Sequence, residues 1–460
     1  MSLLFLLACP KDPDVTAPHP LDAHPVVAAA PDFIPPAALA VTLDNGIPVW
    51  VHPQPGLPLV AIKVLVDGGR SQDPLDGAGL TAFSDRLLSH GAGERDASAF
   101  AETLEQAAIT LSVGTTDHNT RITVDTHADR VDLALELLAD AMLRPAFDGG
   151  EVDKVREQVL GDIAQSQDEP REQARVVSNR LFFGLSPLGL PSPGTVDSIT
   201  PLSSESLANS WAARLHAGAV HIVVTGAVQP EAIRQALNAH LGSLEAGEAG
   251  APTTPIPPRT GQFLVHAEEA PQSVIRLVLP GWSIDDPDLN AARMGAIVLG
   301  GTFTSRLNTI LREEKGWTYG ARLSVYPEDG PGSRVVFQSS VVAEHTGDAV
   351  EVLLEQLALA ATDGITPDEL AKAQGARRTS IVSALGSRGQ TASTLGHLVS
   401  WGLQPDAMQT ELAGLPDITV EAVNAQLKKL NPASGVLLVV GDRESVTPQL
   451  SGTWTEETAW

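Results

Sequence analysis

Two runs of aliphatic residues that end on glycine, HIVVTG closing at Gly226 and VLLVVG closing at Gly441, stand at an offset of 215. Two other pairs keep almost the same spacing. His52 and His266 occupy matching points of VTLDNGIPVWVH and GQFLVH at an offset of 214, and Asp73-Pro74 matches Asp286-Pro287 at an offset of 213. A period this long cannot belong to a solenoid, so the chain reads as two diverged copies of one domain. Whatever architecture one half adopts, the other must adopt too.

Within each half, strands interleave with long helices. Asp44-Asn45-Gly46 between alternating apolar residues signals a hairpin. ITVDTH (122–127) reads as a strand and is followed by a helix from about Arg130 to Leu143. A longer helix starts near Gly150, with Val152, Val155, Val159 and Ile163 on one face. The expected fold is α+β: two tandem homologous domains, each a mostly antiparallel sheet with helices packed on one side. The segment GEAGAPTTPIPPRTG (247–261) marks a linker between a first half at 37–246 and a second at 262–455.

Residues 10–36 contain eight prolines and predict an extended tether. The nine residues before it, MSLLFLLAC, resemble a bacterial lipoprotein signal, which would make Cys9 the lipidated residue and place the protein in the periplasm, membrane-bound only through that lipid. The run is shorter than a usual signal core and no Lys or Arg precedes it; the other reading is an apolar start with an incidental cysteine. No other stretch approaches the roughly 18 apolar residues of a spanning helix. Cys9 is the only cysteine, which excludes an internal disulfide and a cysteine-based zinc cage. With 56 acidic against 30 basic residues the net charge is −26, a field that repels phosphate backbones and argues against a nucleic-acid partner.

GLTAFSDRLLSHG (79–91) has Leu80, Phe83, Leu87 and Leu88 at helical spacing, with Ala82 and Arg86 on one face and Asp85 beside them. Here the chain resembles the pitrilysin/insulinase/mitochondrial-processing-peptidase family of zinc peptidases, whose inverted motif His-x-x-Glu-His lies on such a helix. The resemblance puts Ala82 at the first histidine, Asp85 at the general-base glutamate and Arg86 at the second histidine. The third ligand of the family would be Asp162, which stands in EQVLGDI at the family's usual distance beyond the motif. Zinc needs about three donor side chains and an open position for water. Ala82 has no donor atom, and a guanidinium has no lone pair and repels a dication. The expectation is therefore no zinc and no peptidase activity in this chain alone. His90, one turn further on, reads as a surface or packing residue rather than a replacement ligand. Arg86 is expected to pair with Asp162 and clamp the two helices in place of the metal.

The second half keeps more of the family's pattern. In GGTFTSRLNTILREEKGWTYGARLSV (300–325), Tyr319 follows Arg312 at the family's spacing, and it is one of only two tyrosines in the chain. The resemblance implies that this pair binds substrate, for which a hydroxyl and a guanidinium are suitable donors to a peptide carbonyl; otherwise Arg312 is a surface residue and Tyr319 a packing one. A lost metal motif beside a kept Arg–Tyr pair implies a non-catalytic, substrate-binding subunit of a heterodimeric zinc metallopeptidase acting on unfolded peptides. Zinc would then be held only by a homologous partner subunit. The alternatives are a structural scaffold or peptide-binding lipoprotein with no role in proteolysis, and an enzyme with a relocated metal site.

Overall fold

The computed structural model describes residues 33–247, 259–328 and 332–458. Cys9, most of the proline-rich tether and most of the 247–261 linker lie outside the described residues. In the first half the order is β1 (Leu39–Thr42), β2 (Pro48–Pro53), β3 (Leu59–Asp67), α1 (Leu80–Leu87), α2 (Ala97–Gln106), β4 (Thr110–Thr115), β5 (Asn119–His127), α3 (Val131–Leu143), α4 (Gly149–Asp168), α5 (Pro170–Phe183), α6 (Val196–Ile199), α7 (Ser204–Arg214), β6 (Val220–Gly226) and α8 (Pro230–Leu241). The second half continues with β7 (Gly261–His266), β8 (Gln272–Pro280), α9 (Leu289–Ala296), α10 (Arg306–Asn308), β9 (Thr318–Tyr326), β10 (Arg334–Val342), α11 (Thr346–Thr362), α12 (Pro367–Ser383), α13 (Arg388–Ser400), α14 (Ala407–Gly414), α15 (Val420–Leu427), β11 (Val436–Gly441), α16 (Arg443–Val446) and β12 (Thr455–Glu457).

The two six-stranded sheets have the orders β1-β2-β6-β3-β5-β4 and β12-β7-β11-β8-β10-β9. Apart from β1 and β12, these are the same sheet twice. Only β2–β6, β7–β11 and β7–β12 are parallel pairs; the rest are antiparallel. The duplication extends to single residues. Lys63 on β3 faces Val223 and Thr123, and Arg276 on β8 faces Leu438 and Gln338. The expected hairpin is present, with Gly46 at φ +91° where a side chain would be strained.

In the first half, Val60, Ile62, Val64 and Val66 point to one face and meet Phe83 and Leu87 of α1, Val152 to Ile163 of α4 and the inner sides of α3, α7 and α8. The residues of opposite parity, Trp50, Ala61, Leu65 and Val223, are covered by Ala392, Leu395 and Val399 of α13, a helix of the other half. The reverse also holds. Ala174, Val177, Leu181 and Phe182 of α5 pack on Val274, Val278, Val336 and Leu438 of the second sheet. Each half thus keeps its own helices on one side, as expected, and lends its α5-type helix to the far side of the other sheet.

A polar contact fixes each exchange. Lys63 Nζ donates to Ser393 Oγ of α13 at 2.9 Å, and Arg276 Nε donates to Ser178 Oγ of α5 at 2.8 Å. The two cations are offset by 213 and the two serines by 215, the same spacing as the sequence repeats. Burial, and then the charge of Arg121, lower the Lys63 ammonium from its ordinary value. Ser393→Ala strips a buried charge of its acceptor and is expected to destabilise by about 1–3 kcal/mol, whereas Lys63→Met removes the charge itself and should cost less. Thermal denaturation of both variants decides, and the opposite ranking would refute the latch. The helix should also undock in acid. Burial first, then Arg121 and Lys63, push His397 on α13 from 6.5 down to about 4, so its stabilising contribution is complete above pH 6.5 and is lost as pH falls through 4.

Candidate functional site

The buried carboxylate of Asp73 accepts the N–H groups of Gly79 at 3.0 Å and Thr81 at 2.9 Å and so caps the start of α1. Phe83, Leu87 and Leu88 then face the core, which fixes where the polar positions point. Asp85 points inward. Its Oδ2 accepts the hydroxyls of Thr115 and Thr120, each at 2.6 Å, and its Oδ1 accepts Nη2 of Arg214 at 2.8 Å. Arg214 also donates to Thr120 Oγ1 and to the carbonyl of Gly68. The Asp85 and Arg214 side chains are 1% and 8% exposed. The residue at the general-base position is therefore a fully satisfied internal anchor joining α1, β4, β5 and α7, and its oxygens are committed to these partners rather than to a water.

Arg86 points outward and donates from Nη2 to Asp162 Oδ2 at 2.7 Å, the pairing expected from the sequence. Both partners are roughly half-exposed, so the pair contributes at most about 1 kcal/mol. His90 is 3.2 Å from Glu151 Oε2, and the other oxygen of Glu151 accepts Lys154 Nζ at 2.6 Å. Among the described residues no group of three or more His, Cys, Asp or Glu side chains is placed to hold a metal. The residues between α1 and α4 do not fit zinc: Ala82 supplies nothing, and the carboxylate of Asp162 is taken by a cation.

The Arg–Tyr segment follows α9 through two π-helical turns, Ile297–Gly301 and Thr309–Glu314, with α10 between them. Arg312 lies in the second turn, where its Nη1 donates to Glu313 Oε1 at 2.5 Å and its guanidinium sits 5.0 Å from the centre of the Phe303 ring. Tyr319 stands near the start of β9, 90% exposed, and its hydroxyl has no hydrogen-bond partner among the described residues. Phe303 is 70% exposed. Two exposed aromatic residues, one with a cation over its ring, thus stand in one segment of a chain that is only 4% aromatic.

Two residues hold this loop in place, Gly300 of the glycine-rich turn and Asn308, which sequence reasoning passed over. Asn308 Nδ2 donates to the carbonyl of Ala321 at 2.6 Å and its Oδ1 accepts the Ala321 N–H at 2.9 Å, closing the sheet edge just beyond Tyr319. Gly300 approaches β9 so closely that a Cβ there would lie 2.6 Å from the Leu323 nitrogen, so the conformation requires the glycine. The run Gly-Gly-Thr-Phe carried a signal for the close approach. The Asn308 bonds to β9 depend on how the turn folds back and gave none. In the first sheet β4 is an edge strand with an alternating exposed and half-exposed pattern, and its Thr115 is tied to Asp85 of α1.

Comparison with known proteins bears on both regions. The family model described as Insulinase (Peptidase family M16) matches residues 50–191, and the model described as Peptidase M16 inactive domain matches residues 201–376. The chain is 26% identical over 398 residues to an uncharacterized zinc protease of Mycobacterium leprae, covering 85% of this chain and 88% of that one. It is 26% identical over 276 residues to the non-peptidase homolog YmxG of Helicobacter pylori, covering 59% of this chain and 63% of that protein. A crystal structure of a peptidase M16 inactive domain from Pseudomonas fluorescens superposes with a TM-score of 0.82 at 22% identity, covering 88% of this chain and 98% of the other.

Proposed function

Because the chain belongs to the insulinase family of peptidases, as a member without the catalytic metal motif, we propose that it is the substrate-binding subunit of a heterodimeric zinc metallopeptidase. The observation that carries the reading is Tyr319, exposed and with an unpartnered hydroxyl, in the same segment as an Arg312 steadied on Phe303. A soluble domain gains nothing in stability from so exposed a tyrosine, whereas a partner's active site would gain a hydroxyl donor and a cation for the carbonyl of a bound peptide. The opposite change at α1, where Asp85 is locked and Arg86 is bonded to Asp162, fits a division of labour in which the homologous partner holds the zinc. Substrates would be unfolded peptides held in extended form, for which open sheet edges are suited. A lipid on Cys9 and a periplasmic location belong to the same proposal and are supported by the sequence MSLLFLLAC.

The test is reconstitution. Mixed with a sister chain bearing an intact His-x-x-Glu-His motif, this chain should yield peptidase activity that neither shows alone. Arg312→Ala and Tyr319→Phe should each lower kcat about tenfold or more while co-elution of the two chains is retained, the pattern of a donor used in the transition state. An inert mixture, or variants with wild-type kcat, would reject the role and favour a scaffold.

A further inference from the structure

Most cations of this acidic protein are matched by carboxylates. Arg334, for example, lies within 3.4 Å of Asp117 and 3.9 Å of Glu328, and Arg70 is 2.5 Å from Asp117. Lys63, bonded to Ser393, departs from this, and so does the lining of one cavity. A cavity of about 300 Å³ on the α5 side of the second sheet is lined by Arg171, Arg276, Arg322, Tyr326, Gln338 and Ser340. Among the described residues none of the three arginines forms an ion pair with a carboxylate. Arg276 uses Nε on Ser178 and Nη1 on Gln338, and Arg171 uses Nε on Ser340 at 3.0 Å. Both Nη groups of Arg171, Nη2 of Arg276 and the whole guanidinium of Arg322 have no hydrogen-bond partner among the described residues. Glu172 is the acidic side chain whose charge reaches Arg276, and it is already held by Arg175 at 2.7 Å.

We propose that this cavity is a specificity pocket for a carboxylate on a bound peptide, with Arg171, Arg276 and Arg322 as its donors. The proposal rests on the substrate-binding reading above and gives it a substrate class: peptides with an acidic side chain. Gly320, the residue after Tyr319 in the chain, is one of the residues that line the cavity. Its volume suits one acidic side chain rather than a polymer, and the net charge of −26 disfavours a polyanion. Arg276 is largely buried while Arg171 and Arg322 stand exposed at the rim, and an anion that accepts their free N–H groups gains charge-assisted, often bidentate bonds. Burial, with the charges of Arg334 and Arg175, pushes Arg276 down to about 10 against the opposing pull of Tyr326 and Glu172, so it is a full cation at neutral pH yet poorly hydrated.

The experiment uses the full chain alone and two blocked, unstructured ten-residue peptides that differ only in one central Glu or Gln. Fluorescence anisotropy should show the Glu peptide binding about tenfold tighter or more, the difference expected of charged hydrogen bonds. Arg322→Ala and Arg171→Ala, both at exposed positions, should bring the Glu peptide down to the affinity of the Gln peptide and leave the latter unchanged. Equal affinities for the two peptides would overturn the pocket while leaving the substrate-binding reading standing; binding of neither would overturn both. Inorganic phosphate that binds as tightly as the Glu peptide would overturn the peptide assignment in favour of a simple anion site.

Discussion

Asp85→Ala should be among the most destabilising single substitutions in the first half, at about 3–5 kcal/mol, because it leaves the buried Arg214 cation without its counter-charge. The thermal midpoint should drop by roughly 10 °C, the scale set by the unfolding entropy of a domain of this size. The argument depends on comparing two ion pairs that start from adjacent residues of α1 and end in opposite environments. Asp85–Arg214 is 1% and 8% exposed, whereas Arg86–Asp162 is 43% and 50% exposed. Desolvation has already been incurred at the first pair, so breaking it exposes the whole deficit. Water takes over either partner of the second, and Arg86→Ala or Asp162→Ala should change stability by less than about 1 kcal/mol. The double variant Asp85→Ala/Arg214→Met removes both charges and should recover most of the loss, since a buried pair is often replaced by apolar side chains at little cost. Differential scanning calorimetry of the four variants separates the cases. If Asp85→Ala is as mild as Arg86→Ala, Asp85 is not an internal anchor and the account of α1 fails.

The parts of this molecule that were legible in its sequence are those whose cause is local or periodic. The nearly constant offset between matching segments foretold two copies of one sheet, because each copy repeats the same alternation of strand and helix. The helix expected from about Arg130 to Leu143 runs Val131–Leu143, and the one expected near Gly150 starts at Gly149, each set by an apolar stripe and a polar start. The Arg86–Asp162 pair could be anticipated because opposite charges stood at positions the family brings together. The exchange of α5 and α13 could not. Both helices have apolar faces, and nothing local states which sheet a face will meet. Arg214 was missed for the same reason: its partner Asp85 is far away in the chain, and the contact exists only once α1 and α7 pack. The basic pocket was also invisible, since Arg171, Arg276 and Arg322 are separated by long stretches and meet only through the order of β8, β10 and β9.

Restoring the two histidines, Ala82→His with Arg86→His, is expected to give a chain that binds zinc but still does not cleave peptides. The positions lie one turn apart on one face of α1, the spacing at which two imidazoles reach one ion. Removing Arg86 frees Asp162, which already reaches to 2.7 Å of the guanidinium it now binds and would supply the third donor; adding Asp162→Glu lengthens that donor by one methylene. Atomic absorption should find about one zinc per chain in the variant, and a free zinc concentration near 100 times the dissociation constant should stabilise the fold by about 2.7 kcal/mol, reversibly with a chelator. Hydrolysis needs more than the ion. Water at a zinc site still requires a base to take its proton, and the residue in that place, Asp85, spends both oxygens on Thr115, Thr120 and Arg214. Freeing it would uncover the Arg214 charge, so the groups that stabilise this half are the ones that keep it from catalysis. A variant that fails to bind zinc would mean that α1 and α4 no longer keep a metal-binding separation. A variant that binds zinc and cleaves peptides without a partner would mean that Asp85 is free to act as a base, and the division of labour between two chains would then be unnecessary.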